Sequence, residues 1–283
     1  MSFMETDHSL NNATASARRD IPRDGQWRLA YHEISAEKAD YLYTVGAARF
    51  QEHLAALNSG LSRSLPKITF DDGHLSIYTH AFALLEKFGV KATFFVIPEF
   101  IGRNSRCVSW DQLREMIAEG HDVQSHGLTH RLLTQSNRRE IEVEHEKSKR
   151  EIEDRLGVEV AAISAPGGRY DKNVIAAAMQ AGYAELYHSN PWTPDHALHG
   201  LCVKGRLMVT KDVDGAALCK HPETSAARKF YFRTRHAAKN QLRNLLGDTV
   251  YHKLWCALAH WKPDAGIEVS VNGDQADRTA LET

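Results

Sequence analysis

A chain of 283 residues, 42% of them hydrophobic and 25% charged, can bury a full core, which excludes a disordered or fibrous protein. A formal net charge of -1 excludes any global electrostatic pull toward nucleic acid. Four cysteines, Cys107, Cys202, Cys219 and Cys256, stand far apart with no Cys-x-x-Cys pair, which excludes a zinc ribbon or a dense disulfide framework.

The first twenty-five residues are polar and acidic where a secretory signal carries a basic start and an apolar run, so a flexible leader over 1–25 and a cytoplasmic protein are expected. "WRLAYHE" reads as a short strand, with His32 at its end. "AARFQEHLAALNSG" spaces Phe50, Leu54 and Leu57 as a helix does and stops at Gly60. "PKITF" is a strand that runs into Asp71-Asp72-Gly73. "HLSIYTHAFALLEKFG" then sets Leu75, Tyr78, Phe82, Leu85 and Phe88 along one helical face.

"VKATFFVI" is a strand halted by Pro98. Ser109-x-x-Gln112 is a capping box ahead of Leu113, Met116 and Ile117. "HDVQ" is again extended. Ser136 to Leu156 reads as a charged, exposed helix with Glu146–Arg150 and Glu151–Arg155 pairs at i,i+4. "VEVAAIS" is a strand, Asp171 caps a helix carrying Val174, Ile175, Ala178 and Met179, and "AELYHS" is a strand.

Strands and helices thus alternate at least five times, which predicts an α/β fold with a parallel sheet and helical crossovers. Ligands in such folds sit at the carboxyl ends of the strands. That rule gathers Asp71, Asp72, His126, His130, Pro166 to Arg169 and His188 into one neighbourhood, because each follows a predicted strand.

Past the sheet, Ala226 to Arg243 holds six Lys or Arg residues (Arg228, Lys229, Arg233, Arg235, Lys239, Arg243) and no acid, followed by apolar residues at helical spacing. This is read as a docking helix with a solvated basic face, and peripheral contact with a membrane is the alternative. No run approaches the roughly eighteen apolar residues of a spanning helix. Residues from Lys262 are polar and acidic and are expected to be disordered.

"SHGLTH" supplies two imidazoles, His126 and His130, in a loop rather than on a helix, because Gly127 lies between them. Joined to the Asp71-Asp72 pair, they form a ligand set of two imidazoles and one carboxylate for a catalytic divalent metal. Adjacent carboxylates both stay ionised if one binds the cation and the other accepts a proton from water.

Thr69-Phe70-Asp71-Asp72-Gly73, then Ala92-Thr93-Phe94-Phe95-Val96, then Gly120-His121 leading into Ser125-His126 and His130, resemble the polysaccharide deacetylase family from about Trp27 to Val209. "AYHE" and "AELYHSNPWTPDHALHGLCVKGRLMV" resemble a subgroup associated with bacterial exopolysaccharide synthesis. The resemblance implies a distorted (β/α) barrel over 26–215, followed by a helical extension over 216–262 and a tail over 263–283. It implies metal-dependent removal of acetyl groups from an N-acetylated glycan or its lipid-linked precursor. Zinc is the expected ion, with cobalt, nickel or manganese as alternatives.

Carried over by residue, Asp71 is the general base, while Asp72, His126 and His130 hold the metal. The N–H of Gly167 is an oxyanion donor, with Gly168 permitting close approach, Arg169 and Trp192 lining the sugar site. Three departures from the family pattern stand out. Gly127 replaces a Ser or Thr, with Ser125 or Thr129 as substitutes. Ser164-Ala165-Pro166-Gly167-Gly168 lacks the Arg that orients the base, leaving Arg169 or Arg206 to supply it. "LCVKGRLMV" lacks the late His that protonates the leaving amine, and Arg206 cannot do so; His188 and His199 are the nearest candidates. An amidase or esterase acting on a small molecule, and a glycan-binding protein without turnover, are the competing functions.

Overall fold

The computed structural model describes residues 27–36, 41–59 and 65–220, and eight helical residues spaced between Phe230 and Leu254. The expected leader, the six basic side chains from Arg228 to Arg243 and the acidic tail lie outside the described residues.

The strands are β1 (Arg28–Tyr31), β2 (Glu33–Ser35), β3 (Thr44–Gly46), β4 (Lys67–Phe70), β5 (Ala92–Val96), β6 (Asp122–Ser125), β7 (Ala162–Ser164), β8 (Glu185–His188), β9 (His196–Leu198), β10 (Leu201–Gly205) and β11 (Leu207–Met208). The helices are α1 (Ala47–Asn58), α2 (Ala83–Phe88), α3 (Trp110–Ala118), α4 (Arg138–Leu156), α5 (Lys172–Gln180) and α6 (Gly215–Lys220).

Nine strands form one sheet in the order β11-β1-β4-β5-β6-β7-β8-β10-β9, parallel throughout except for the edge strand β9. Gly205 pairs with His188 in β8, and Leu207 pairs with Leu29 in β1. One residue, Arg206, therefore carries the chain from one flank of the sheet to the other. The sheet curls until its flanks meet there, which makes the distorted (β/α) barrel.

Tyr31, Phe70 and Phe94 stack across β1, β4 and β5 at centroid distances of 5.4 and 5.2 Å, with Phe50 of α1 edge-on to Tyr31 and Phe70. All four are fully buried, and each such ring contributes roughly 1.5–3 kcal/mol. Because side chains alternate along a strand, seating Phe70 under the helices turns Thr69 and Asp71 into the barrel.

Two helices depart from the sequence reading. Residues Ile77–Phe82 form a π-helix ahead of α2, and the buried positions are Ile77, Ala81 and Leu85. Tyr78, Phe82 and Phe88, expected on the buried face, are half-buried, because the wider i to i+5 winding changes which side chains stack in line. Helix α4 is not a solvated rod: Ile141, Glu144, His145, Ser148 and Ile152 form a buried face. Arg150 pairs with Asp154, beside Arg138–Glu142 and Lys149–Glu153 pairs, instead of with Glu146. The capping box at Ser109 and the cap at Asp171 form as read.

Candidate active site

Because the main strands are parallel, their carboxyl ends share one rim. His32 follows β1, Asp71 and Asp72 follow β4, His126 follows β6, Pro166 to Arg169 follow β7, and His188 ends β8. His199 is elsewhere: it sits in the two-residue turn between β9 and β10, at the opposite end of the sheet, which removes it as a candidate acid. A hairpin turn leading into β10 must lie where β10 begins, and β10 begins beside the start of β8.

Asp71 is buried, yet its carboxylate is fully engaged. Arg206 donates from Nη1 to Oδ1 and from Nη2 to Oδ2, both at 2.7 Å. The same guanidinium donates to Thr69 Oγ1 at 3.0 Å and Ser164 Oγ at 2.7 Å, and lies 5.1 Å from the Phe95 ring centroid and 5.6 Å from that of Tyr187. Burial opposes the charge on Asp71, but Arg206 and His126 together outweigh it and hold the carboxyl below its ordinary range. Arg206, not Arg169, thus supplies the cation beside the base. Ser164, at the place where the family pattern has its Arg, donates to Asp71 Oδ2 at 3.2 Å.

Asp72 turns the other way. Its φ of 73° lies in the left-handed region, and Oδ1 sits 3.2 Å from His126 Nε2 and 3.3 Å from His130 Nε2. His126 Nδ1 donates to the Ser164 carbonyl at 2.8 Å, which leaves Nε2 with its lone pair facing Asp72. The three groups lie within 4.8 Å of one another. Asp72 Oδ1 is buried and accepts no hydrogen bond, so a carboxylate oxygen and imidazole nitrogens converge on a point that needs a cation. The residues fit a divalent metal. Burial works against ionisation of Asp72, but His130 and His126 hold its carboxyl well below the usual range. His126 is raised, because Asp71 and Asp72 together overcome its burial.

The loop carrying the ligands is held from behind. Gly127 N–H donates to Ser125 Oγ at 3.2 Å, and Thr129 Oγ1 donates to Glu144 at 2.5 Å. Both substitutes for the missing hydroxyl at position 127 are therefore engaged, and Glu144 of α4 joins them. In the sequence Glu144 is one more charge on a charged helix, with no signal to separate it from its neighbours.

The Pro166–Gly168 turn closes the rim beyond β7. Gly167 is exposed with φ 63°, and Gly168 has φ 66°. A Cβ on Gly168 would meet Ser189 Oγ at 2.1 Å, so its absence serves packing against the loop after β8. Trp192 is half-buried in that loop, and its N–H donates to Asn190 Oδ1 at 3.1 Å. His188 is buried beside Tyr170, and its Nδ1 accepts the Asn190 N–H at 3.1 Å. His32 stacks on Tyr43 at 5.0 Å.

The sequence profile of the polysaccharide deacetylase family matches residues 62–186. That stretch, under half of the chain, is similar to the polysaccharide deacetylase family. Of its relatives, the chitooligosaccharide deacetylase of Sinorhizobium fredii is 30% identical over 157 residues, 54% of this chain and 65% of that protein. The peptidoglycan-N-acetylglucosamine deacetylase PgdA of Listeria monocytogenes is 32% identical over 163 residues, 56% of this chain and 33% of that one. The YxkH protein of Bacillus subtilis is 27% identical over 215 residues, 69% of this chain and 75% of that one. In structure, the chain is similar to the Streptococcus pyogenes deacetylase PplD, solved with acetate, at TM-score 0.64 and 23% identity over 70% of this chain and 98% of that one. IcaB from Ammonifex degensii gives TM-score 0.61 and 22% identity over 71% and 97% of the two chains. These two likenesses establish the barrel fold. His32, His188 and Arg206 all lie outside the stretch that the family profile matches.

Proposed function

We propose that the protein is a metal-dependent hydrolase that removes N-acetyl groups from N-acetylhexosamine units of a bacterial polysaccharide or its lipid-linked precursor. The observation that carries this is the division of labour between adjacent carboxylates: Asp71 ion-paired to Arg206, Asp72 facing the imidazoles of His126 and His130.

Asp72, His126 and His130 would hold the ion. A divalent ion there supplies Lewis acidity toward the acetyl oxygen and toward water, which a carboxylate of such low basicity as Asp71 requires. Asp71 takes the proton of the attacking water, whose oxygen adds to the acetyl carbon. The C–N bond then breaks, giving acetate and a free amine. The Gly167 N–H, which donates to none of the described backbone carbonyls, is our candidate donor to the developing oxyanion. Arg169 and Trp192 border the same rim and would meet the sugar.

The amine leaves only with a proton. His188 accepts a backbone N–H at Nδ1, so that nitrogen carries no proton to give. His32 follows β1 on the same rim as both carboxylates, with no such bond at its buried Nδ1. We therefore assign the proton to His32 ahead of His188.

Work at a membrane face is part of the same reading. Its support is the run of six cations without an acid from Ala226 to Arg243, with exposed Phe230 within it and exposed Leu245 just beyond it. No helix among the described residues is long and apolar enough to cross a membrane.

The test is acetate release from N-acetylglucosamine oligomers by zinc-loaded protein, chelated protein and the Asp71→Asn variant. Release that requires both the ion and Asp71 is expected. Equal release by Asp71→Asn would sink the mechanism, and absence of release from glycan and lipid-linked substrates alike would favour a binding protein.

A further inference from the structure

The four residues between the end of β6 and His130 have no regular secondary structure to hold them. Gly127 is at φ 79° and His130 at φ 61°, a conformation that costs a non-glycine residue roughly 1–2 kcal/mol. A loop of this kind needs external partners for its backbone. It finds them on α4: Glu144, only 4% exposed, accepts the N–H of Leu128 at 2.8 Å and of Thr129 at 3.1 Å through Oε2, and the Thr129 hydroxyl at 2.5 Å through Oε1. Arg131 Nε stands 3.6 Å from Oε1. The preceding N–H, of Gly127, goes to Ser125 Oγ, which shares a 2.7 Å hydrogen bond with Ser148 of α4. Three consecutive N–H groups between the two histidines are thus fixed by side chains that α4 carries or contacts.

We propose that Glu144 is a positioning residue that sets the geometry of the His126–His130 pair. It holds the loop in the liganding arrangement before any ion arrives, so that binding does not have to order the loop. Glu144 also accounts for glycine at 127: a Cβ there would come within 3.3 Å of Glu144 Oε2, in a backbone conformation that already disfavours one. The space and the hydrogen-bonding work of a hydroxyl side chain at 127 have passed to a carboxylate from α4, seventeen positions further along the chain. The inference rests on the reading of Asp72, His126 and His130 as a metal site, and is independent of the substrate.

The experiment compares the full chain with its Glu144→Gln and Thr129→Val variants, using cobalt as the probe. Glu144→Gln keeps the volume but presents one acceptor oxygen where the loop engages two. Cobalt affinity, measured by competition with a chromogenic chelator well below each protein's melting temperature, is expected to fall about 10–100-fold in Glu144→Gln, with a changed visible absorption band. Thr129→Val, which removes one of the three bonds, is expected to lower affinity several-fold while folding as the parent does. A Glu144→Gln protein that melts lower yet binds cobalt with parental affinity and spectrum would reduce Glu144 to a structural residue and overturn the proposal. If Glu144→Gln does not fold, parental cobalt affinity in Thr129→Val overturns it instead. A parent whose cobalt binding is unaffected by His126→Ala would sink the metal reading itself, and this inference with it.

Discussion

Arg206 grips Asp71 through two parallel hydrogen bonds of 2.7 Å across 135 positions of sequence, from the single residue that joins the two flanks of the barrel. The contact depends on closure: only when β10 and β11 lie on opposite flanks of the curled sheet does the residue between them project inward. Replacing Arg206 by Met keeps the bulk and strands a buried carboxylate. Acetate release is expected to be lost and stability to fall by about 3–5 kcal/mol in chemical denaturation. The double variant Asp71→Asn with Arg206→Met should regain much of that stability and none of the activity. Activity retained in Arg206→Met would remove the arginine from the mechanism.

The two carboxylates should separate experimentally. Asp72→Asn is expected to lose one equivalent of bound zinc in equilibrium dialysis, whereas Asp71→Asn keeps it and loses turnover. Chelation should abolish acetate release, and added zinc should restore it. Full zinc occupancy in Asp72→Asn would contradict the ligand assignment.

A leaving group that departs without a proton exposes the acid. His32→Gln is expected to lower deacetylation of an amide about 10²–10⁴-fold and to leave hydrolysis of an activated aryl acetate nearly unchanged. His188→Gln should lower both to a similar, smaller degree. The reverse pattern would return the proton to His188.

His145 of α4 predicts a pH dependence of stability. It is fully buried, its Nδ1 donates to Ile141 O at 2.8 Å, and burial, only partly offset by that bond, pushes its pKa down from 6.5 to about 4. The unfolded chain therefore binds this proton first as pH falls. Stability from this group is complete above about pH 6.5 and is lost progressively toward pH 4, by roughly 3 kcal/mol. Urea melts of His145→Phe should show a flatter profile over that interval. An unchanged slope would mean that the ring is solvated.

Gly168→Ala places a methyl against Ser189 and the Ser189 backbone N, at a φ of 66°. A loss of about 2–4 kcal/mol is expected, read as a lower melting temperature. A melting temperature equal to the parent's would show that the turn and the loop after β8 are free to separate.

The amino-acid sequence by itself determined the alternation of strands and helices, the caps at Ser109 and Asp171, and the placement of Asp71, Asp72, His126 and His130 on one rim. Each of these is written in local signals: apolar periods, capping residues, a glycine between two histidines. The tertiary structure alone decided what surrounds them. The buried face of α4 has full helical spacing, at 141, 144, 145, 148 and 152, but three of its five members are Glu, His and Ser, which in a sequence look solvated. Their burial follows from partners supplied by the β6 loop and by Tyr183, which bonds Ser148 and the His145 carbonyl. Arg206 is likewise legible in the sequence only as one of two candidate cations for the base, beside Arg169. Its partner was selected by barrel closure, because a buried carboxylate must be neutralised by whatever charge the fold brings within reach, and no local pattern records which one that is.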